Sequence, residues 1–156
     1  MFRVTREIHF CYGHRLLHYD GKCRHLHGHN GKAVIALEMP KLDALGMVVD
    51  FSRIKRLVGT WIDESLDHKM ILHKDDPVLP FLKSQGEPVC IVDVNPTAEN
   101  IAKLIFDYVK AQGFPVVEVT LWETESSYAT YRGEPGFRSR SELSGPAAVF
   151  GRVATI

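Results

Sequence analysis

The sequence has little of what would assign it to most function classes. Its 19 Lys and Arg balance 19 Asp and Glu to a formal net charge of +0, so it lacks the basic excess with which nucleic-acid and membrane-surface binders hold phosphates. A small ligand or a protein partner is expected instead, with no nucleic acid and no membrane. No stretch is long and apolar enough to cross a bilayer, and the opening MFRVTREIHF has no apolar signal-peptide core, so the expected location is cytoplasmic. Cysteine is scarce: Cys11, Cys23 and Cys90 are an odd set, which argues against a disulfide framework and makes any special cysteine a ligand or a reactive thiol. There is no internal repeat. The 156 residues suit one domain that can bury a core without staples.

What is present reads as strands, two helices, then strands. From Phe2 to Phe10 the apolar Phe2, Val4, Ile8 and Phe10 alternate with Arg3, Thr5, Glu7 and His9, the period of a half-buried strand. GKAVIALEM is β-branched enough for a second strand, and GMVVD suggests a third, short one completing an antiparallel meander. At Phe51 the period changes: Phe51, Ile54, Leu57, Val58, Trp61, Ile62 and Leu66 recur at helical spacing behind Asp50 as N-cap, a helix of about four turns. The polar, Pro-broken connection that follows holds a possible short strand at 89–94. NPTAENIAKLIFDYVKAQG is the clearest helix, with cap chemistry at Asn95, Pro96 and Thr97 and a closing Gly113. PVVEVTLWE and SSYATYR then return to strand alternation. The order predicts an α+β fold, with two helices on one face of a mainly antiparallel sheet. A single domain is expected over 1–132, and 133–156 is a Gly-, Ser- and Arg-rich extension of unknown role.

The densest chemistry lies in KCRHLHGHNG, residues 22–31. Residues i and i+2 on an extended backbone point to one side about 7 Å apart, so His27 and His29 can reach one metal ion. Catalytic zinc usually takes three protein ligands and keeps a fourth position open; His14, after the first strand, is the natural third donor. Two arrangements fit the remaining thiol. Cys23 could close a structural tetrahedron, or it could stay off the metal and move protons, for which a group of ordinary pKa about 8.5 needs activating neighbours. Asp67 and His68 in LDHKM offer such neighbours, a carboxylate orienting an imidazole that activates a thiol, although the pair taken alone reads as a helix-end turn. Glu123 in LWETE could accept two parallel hydrogen bonds from an amidine-like heterocycle edge; taken alone it reads as an exposed strand-end glutamate.

Together, His14 in FCYGHRLLH, the run of Cys23, His27, Gly28 and His29, the LDH of Asp67 and His68, PTAEN, and WET at Glu123 resemble the 6-pyruvoyl tetrahydropterin synthase and 6-carboxytetrahydropterin synthase family in order and spacing, over roughly 9–132. The resemblance implies the tunnelling fold, an antiparallel four-stranded sheet with two helices on one face, assembled into trimers or hexamers with active sites between subunits. It implies Zn2+ on His14, His27 and His29, Cys23 as proton-abstracting base with Asp67 and His68 as partners, and Glu123 as anchor of the pterin ring. The implied substrate is 7,8-dihydroneopterin triphosphate. The form CRHLHGHN looks more like the queuosine-pathway enzyme, which loses triphosphate and acetaldehyde to leave a 6-carboxy product, than like the pyruvoyl enzyme; a non-catalytic zinc or pterin binder is the reading from another class. The chain departs from the compact bacterial pattern in a longer segment at 70–94 and in the tail after Arg132. His25 carries no expected role, and its side chain is expected to point away from the metal.

Overall fold

The computed structural model describes residues 1–134. Two long strands, β1 (Phe2–His14) and β2 (His27–Met39), form an antiparallel hairpin in continuous register from Phe2 opposite Met39 to His14 opposite His27. The loop between them carries one short helical turn, Lys22–Arg24. A helix, α1, then runs through residues 51–65, opening as Phe51–Ile54, loosening into a π turn at Lys55–Gly59 and closing as Thr60–Ser65. Strand β3 (Lys69–His73), a short helix α2 (Leu79–Ser84), strand β4 (Val89–Val92), helix α3 (Ala98–Ala111) and strands β5 (Val116–Trp122) and β6 (Tyr128–Tyr131) follow among the described residues. The sheet order is β4-β3-β1-β2-β5-β6.

The expected α+β architecture is present, and the four antiparallel strands are β1, β2, β5 and β6. Two details differ. Among the described residues the sheet has six strands because β3 and β4 are added on the β1 side, and both of those pairings are parallel. A parallel neighbour needs a crossover, and α1 supplies it between β2 and β3. The third strand expected at GMVVD is not formed. There the Asp43 carboxylate accepts from the N–H groups of Leu45 and Met47, both bonds under 3 Å at 2.8 and 2.9 Å. This turn takes the donors a strand would have used, while Val48 and Val49 pack on the core as loop residues.

Alternation decides which face is buried. Even positions of β1 and odd positions of β2 share a face, so Phe10 and Tyr12 meet Ala33, Ile35 and Leu37, all buried. The long helices cover that face with Ile54, Val58 and Ile62 from α1 and Ile101, Ile105 and Val109 from α3. Trp61 and Tyr108 stack at 4.0 Å between the two helices. The caps read from the sequence are made: Asp50 accepts from the Ser52 N–H at 2.8 Å, Thr97 from the Asn100 N–H, and Gly113 takes φ +77 past the end of α3.

The connection from β3 to α2 is anchored by a buried ion pair. Asp76 is 3% exposed, and its carboxylate receives two guanidinium N–H groups of Arg15, one of them at 2.8 Å, and the Val78 N–H at 2.9 Å. The hydrogen bonds from Arg15 hold the Asp76 pKa below the ordinary carboxylate value. A depressed carboxylate stabilises the fold above its unfolded pKa of about 3.9, and that contribution disappears as pH falls through the folded value. Asp76→Asn should therefore cost roughly 2 kcal/mol at neutral pH and flatten the acid limb of a urea-midpoint profile; an unaltered midpoint at pH 7 would count against this anchor.

Candidate metal and substrate site

The hairpin register brings three imidazoles together. His14 pairs directly with His27, Tyr12 with His29, and the shared face turns all three rings to one point at the end of the sheet. His14 Nε2 lies 3.0 Å from His27 Nε2 and 3.1 Å from His29 Nε2. These three ligand atoms all lie within 4.8 Å of one another.

The tautomers follow from the other ring nitrogens. His14 Nδ1 sits 2.7 Å from the Pro96 carbonyl and His27 Nδ1 2.7 Å from the His25 carbonyl. A carbonyl only accepts, so both Nδ1 atoms carry hydrogen, and in the neutral rings both Nε2 atoms present lone pairs. Burial lowers the pKa of His14 and so favours its neutral form. Two bare lone pairs facing each other at 3.0 Å repel unless a cation lies between them. The donor set and its carbonyl orientation fit a divalent metal of the zinc type. His25 thus acts through its backbone, while its ring takes a contact from Arg24 Nε at 3.3 Å.

Glu123, just beyond β5, stands at the edge of this triad. Its Oε1 accepts from the Tyr12 hydroxyl at 2.9 Å and lies 3.8 Å from His14 Nε2. Tyr12 is 3% exposed, and burial first, then the Glu123 charge, raises its pKa, so it remains a donor. Behind the triad, the Asn95 side chain bonds both the N–H and the C=O of Leu17, at 2.8 and 2.9 Å. That clamp fixes the loop after β1 against the start of α3, next to the Pro96 carbonyl.

The expected relay is only half assembled. Asp67 accepts the Cys11 N–H at 2.7 Å through Oδ1 and meets His68 Nδ1 at 2.8 Å through Oδ2. Burial pushes the Asp67 pKa up, but the hydrogen bonds from Cys11 and His68 outweigh it and hold the carboxyl below its usual range. His68 takes φ +55, and its N–H donates to the Cys11 carbonyl at 2.7 Å. Its ring is largely exposed, with 79% of the side chain accessible. Cys23 sits apart on the Lys22–Arg24 turn, half-buried, its carbonyl accepting from Leu16 N–H. Among the described residues no hydrogen bond joins Cys23 to Asp67 or His68. An open cavity of about 770 Å³ runs from His27 and His29 past Cys11 to His68 and on to Phe81 of α2.

A sequence profile of 6-pyruvoyl tetrahydropterin synthase matches residues 3–134. The chain belongs to the 6-pyruvoyl tetrahydropterin synthase family. Among relatives, a 6-carboxy-5,6,7,8-tetrahydropterin synthase of Rickettsia conorii is 39% identical over 135 residues, covering 82% of this chain and 98% of the relative. The enzyme of the same name from Haemophilus influenzae is 31% identical over 140 residues, covering 85% and 99%. Among solved structures, an uncharacterised Wolinella succinogenes protein aligns with TM-score 0.71 at 29% identity, over 85% of this chain and 98% of that one. The 6-pyruvoyl tetrahydropterin synthase of Caenorhabditis elegans aligns with TM-score 0.65 at 27% identity, over 85% and 96%.

Within the family frame, the sequence reading missed three groups that the structure places at the site. Tyr12 left a signal, an inward-facing aromatic two positions before His14 on an alternating strand. Asn95 was read as cap chemistry alone, and the cap position does not reveal that its amide reaches back to Leu17. Helix α2, with Phe81 on the cavity wall, was hidden in the Pro-broken connection; its signal was Pro80 at the first helical turn.

Proposed function

We propose that the chain is a zinc-dependent cytoplasmic lyase, a 6-carboxy-5,6,7,8-tetrahydropterin synthase that converts 7,8-dihydroneopterin triphosphate with loss of triphosphate and acetaldehyde, as in queuosine biosynthesis. The observation that carries the reading is the convergence of His14, His27 and His29 with Glu123 beside them. The three imidazoles would hold Zn2+, and the bound ion would supply a Lewis acid for the side-chain hydroxyls of the substrate. Glu123 anchors the pterin ring by accepting from its amidine-like N–H edge, which orients the side chain toward the triad. Cys23 is the base that takes a proton from the side chain, and His68, oriented by Asp67, is the imidazole that activates it.

Because no hydrogen bond joins Cys23 to the Asp67–His68 pair among the described residues, the reading supplies one of them from a second copy. Strands β4 and β6 end the sheet among the described residues, leaving backbone edges available for pairing. This supports a trimer or hexamer with active sites between subunits. The runner-up is 6-pyruvoyl tetrahydropterin synthase on the same substrate; the carboxy product is preferred because the named relatives at 39% and 31% identity carry that name. A non-catalytic zinc or pterin binder has no need of the hydrogen-bonded Asp67–His68 pair. Mass spectrometry after incubation with dihydroneopterin triphosphate should find a carboxypterin. A pyruvoylpterin would transfer the reading to the runner-up, and recovery of intact substrate would overturn the lyase reading.

A further inference from the structure

Glu123 stands closer to the triad than an anchor for an organic ring needs to be. Ligand atoms at about 2.0–2.2 Å from a tetrahedral zinc lie about 3.4 Å apart, and Glu123 Oε1 is already 3.8 Å from His14 Nε2. It nevertheless falls outside the group whose ligand atoms lie within 4.8 Å of one another, which is confined to the three histidines. A carboxylate is a good zinc ligand, and three imidazoles plus a carboxylate make a closed, four-coordinate site with no position for substrate. Something must hold the carboxylate back.

The group placed to do so is Tyr12. Its hydroxyl donates to Oε1, the oxygen nearest His14, at 2.9 Å. The ring cannot swing away, since it stacks on Phe10 at 5.4 Å and meets His14 edge-on at 5.3 Å and His29 at 5.7 Å. Gly31 provides the slot: a Cβ there would come within 2.9 Å of the Tyr12 ring. On the other side, the Glu123 N–H bonds the Ser127 carbonyl at 3.0 Å and pins the backbone that carries the carboxylate.

We propose that Tyr12 is a positioning residue that holds Glu123 out of the metal's coordination sphere, so that the fourth position stays open and the carboxylate stays available to substrate. The inference rests on the reading of His14, His27 and His29 as a metal site. It concerns the hydroxyl and not the ring, because Phe would fill the same slot and leave Glu123 unrestrained.

The test uses the full chain loaded with cobalt(II) and follows the visible spectrum during titration with azide, a small ligand that reports an open position. Wild type should bind cobalt and respond to azide. Tyr12→Phe should bind cobalt at least as tightly but respond to azide roughly tenfold more weakly or worse, the size of change that partners behind metal ligands commonly produce. In Tyr12→Phe/Glu123→Gln, which has lost the anionic ligand, the wild-type response should return. A wild-type azide response in Tyr12→Phe would overturn the proposal, as would failure of the double variant to recover, or loss of cobalt binding in Tyr12→Phe. Failure of wild type itself to bind cobalt would instead remove the metal-site reading, and this proposal with it.

Discussion

His27→Ala should lose metal and turnover together. The residue is one of three imidazoles around a single point, with its Nδ1 hydrogen held by the His25 carbonyl at 2.7 Å, so its Nε2 has no other use. Disturbing partners behind a ligand already costs about 10–100-fold in metal affinity, and removal of a ligand should cost at least about 100-fold. Elemental analysis after dialysis should find substoichiometric metal, and the product assay should fall to background. A second consequence separates a metal site from a hydrogen-bonded cluster. In the metal-free protein, His14 and His27 face each other with lone pairs at 3.0 Å, so removing one should cost the metal-free fold little or nothing. Metal-loaded wild type should gain stability by mass action that the variant cannot. Thermal melts with and without zinc measure both effects. Full activity in metal-depleted His27→Ala would end the zinc mechanism.

Cys23→Ala should do the reverse, keeping metal and fold while turnover drops by roughly 10²–10⁴, the usual worth of a positioned acid or base. Its thiol lies on a half-buried turn outside the triad, so metal content should match wild type; loss of stoichiometric zinc would instead favour a closed structural site with Cys23 as fourth ligand. His68→Ala should be comparably impaired. The structure adds a sharper expectation. If the thiol of one copy is served by the Asp67–His68 pair of another, inactive Cys23→Ala and inactive His68→Ala chains, unfolded and reassembled together, should recover a fraction of wild-type turnover in mixed oligomers. No recovery from a verified mixed assembly would place both groups in one chain, against the geometry described above.

The chain's local chemistry was readable without a structure wherever spacing and secondary structure share a period. The spacing of His27 and His29 predicted a shared target because a strand repeats every two residues, and His14 joined them because it ends the partner strand. Asp50 and Thr97 announced their helices because capping is decided within three residues. The short apolar run at GMVVD was misread for the converse reason: four apolar or flexible residues fit a strand or a buried loop equally, and the Asp43 turn beside them settled the matter.

What the linear order could not convey depended on pairings between distant segments. Nothing local says that β3 lies parallel to β1, yet that placement sets Asp67 against Cys11, 56 positions away, and not against Cys23. The role of Tyr12 needs a slot at Gly31 and a carboxylate 111 positions further on, so its importance is absent from its own neighbourhood. Residue types and short periods determined which groups could do chemistry here. Only the tertiary structure decided which groups meet, because strand order and register are set by burial of the whole sheet and not by any single segment.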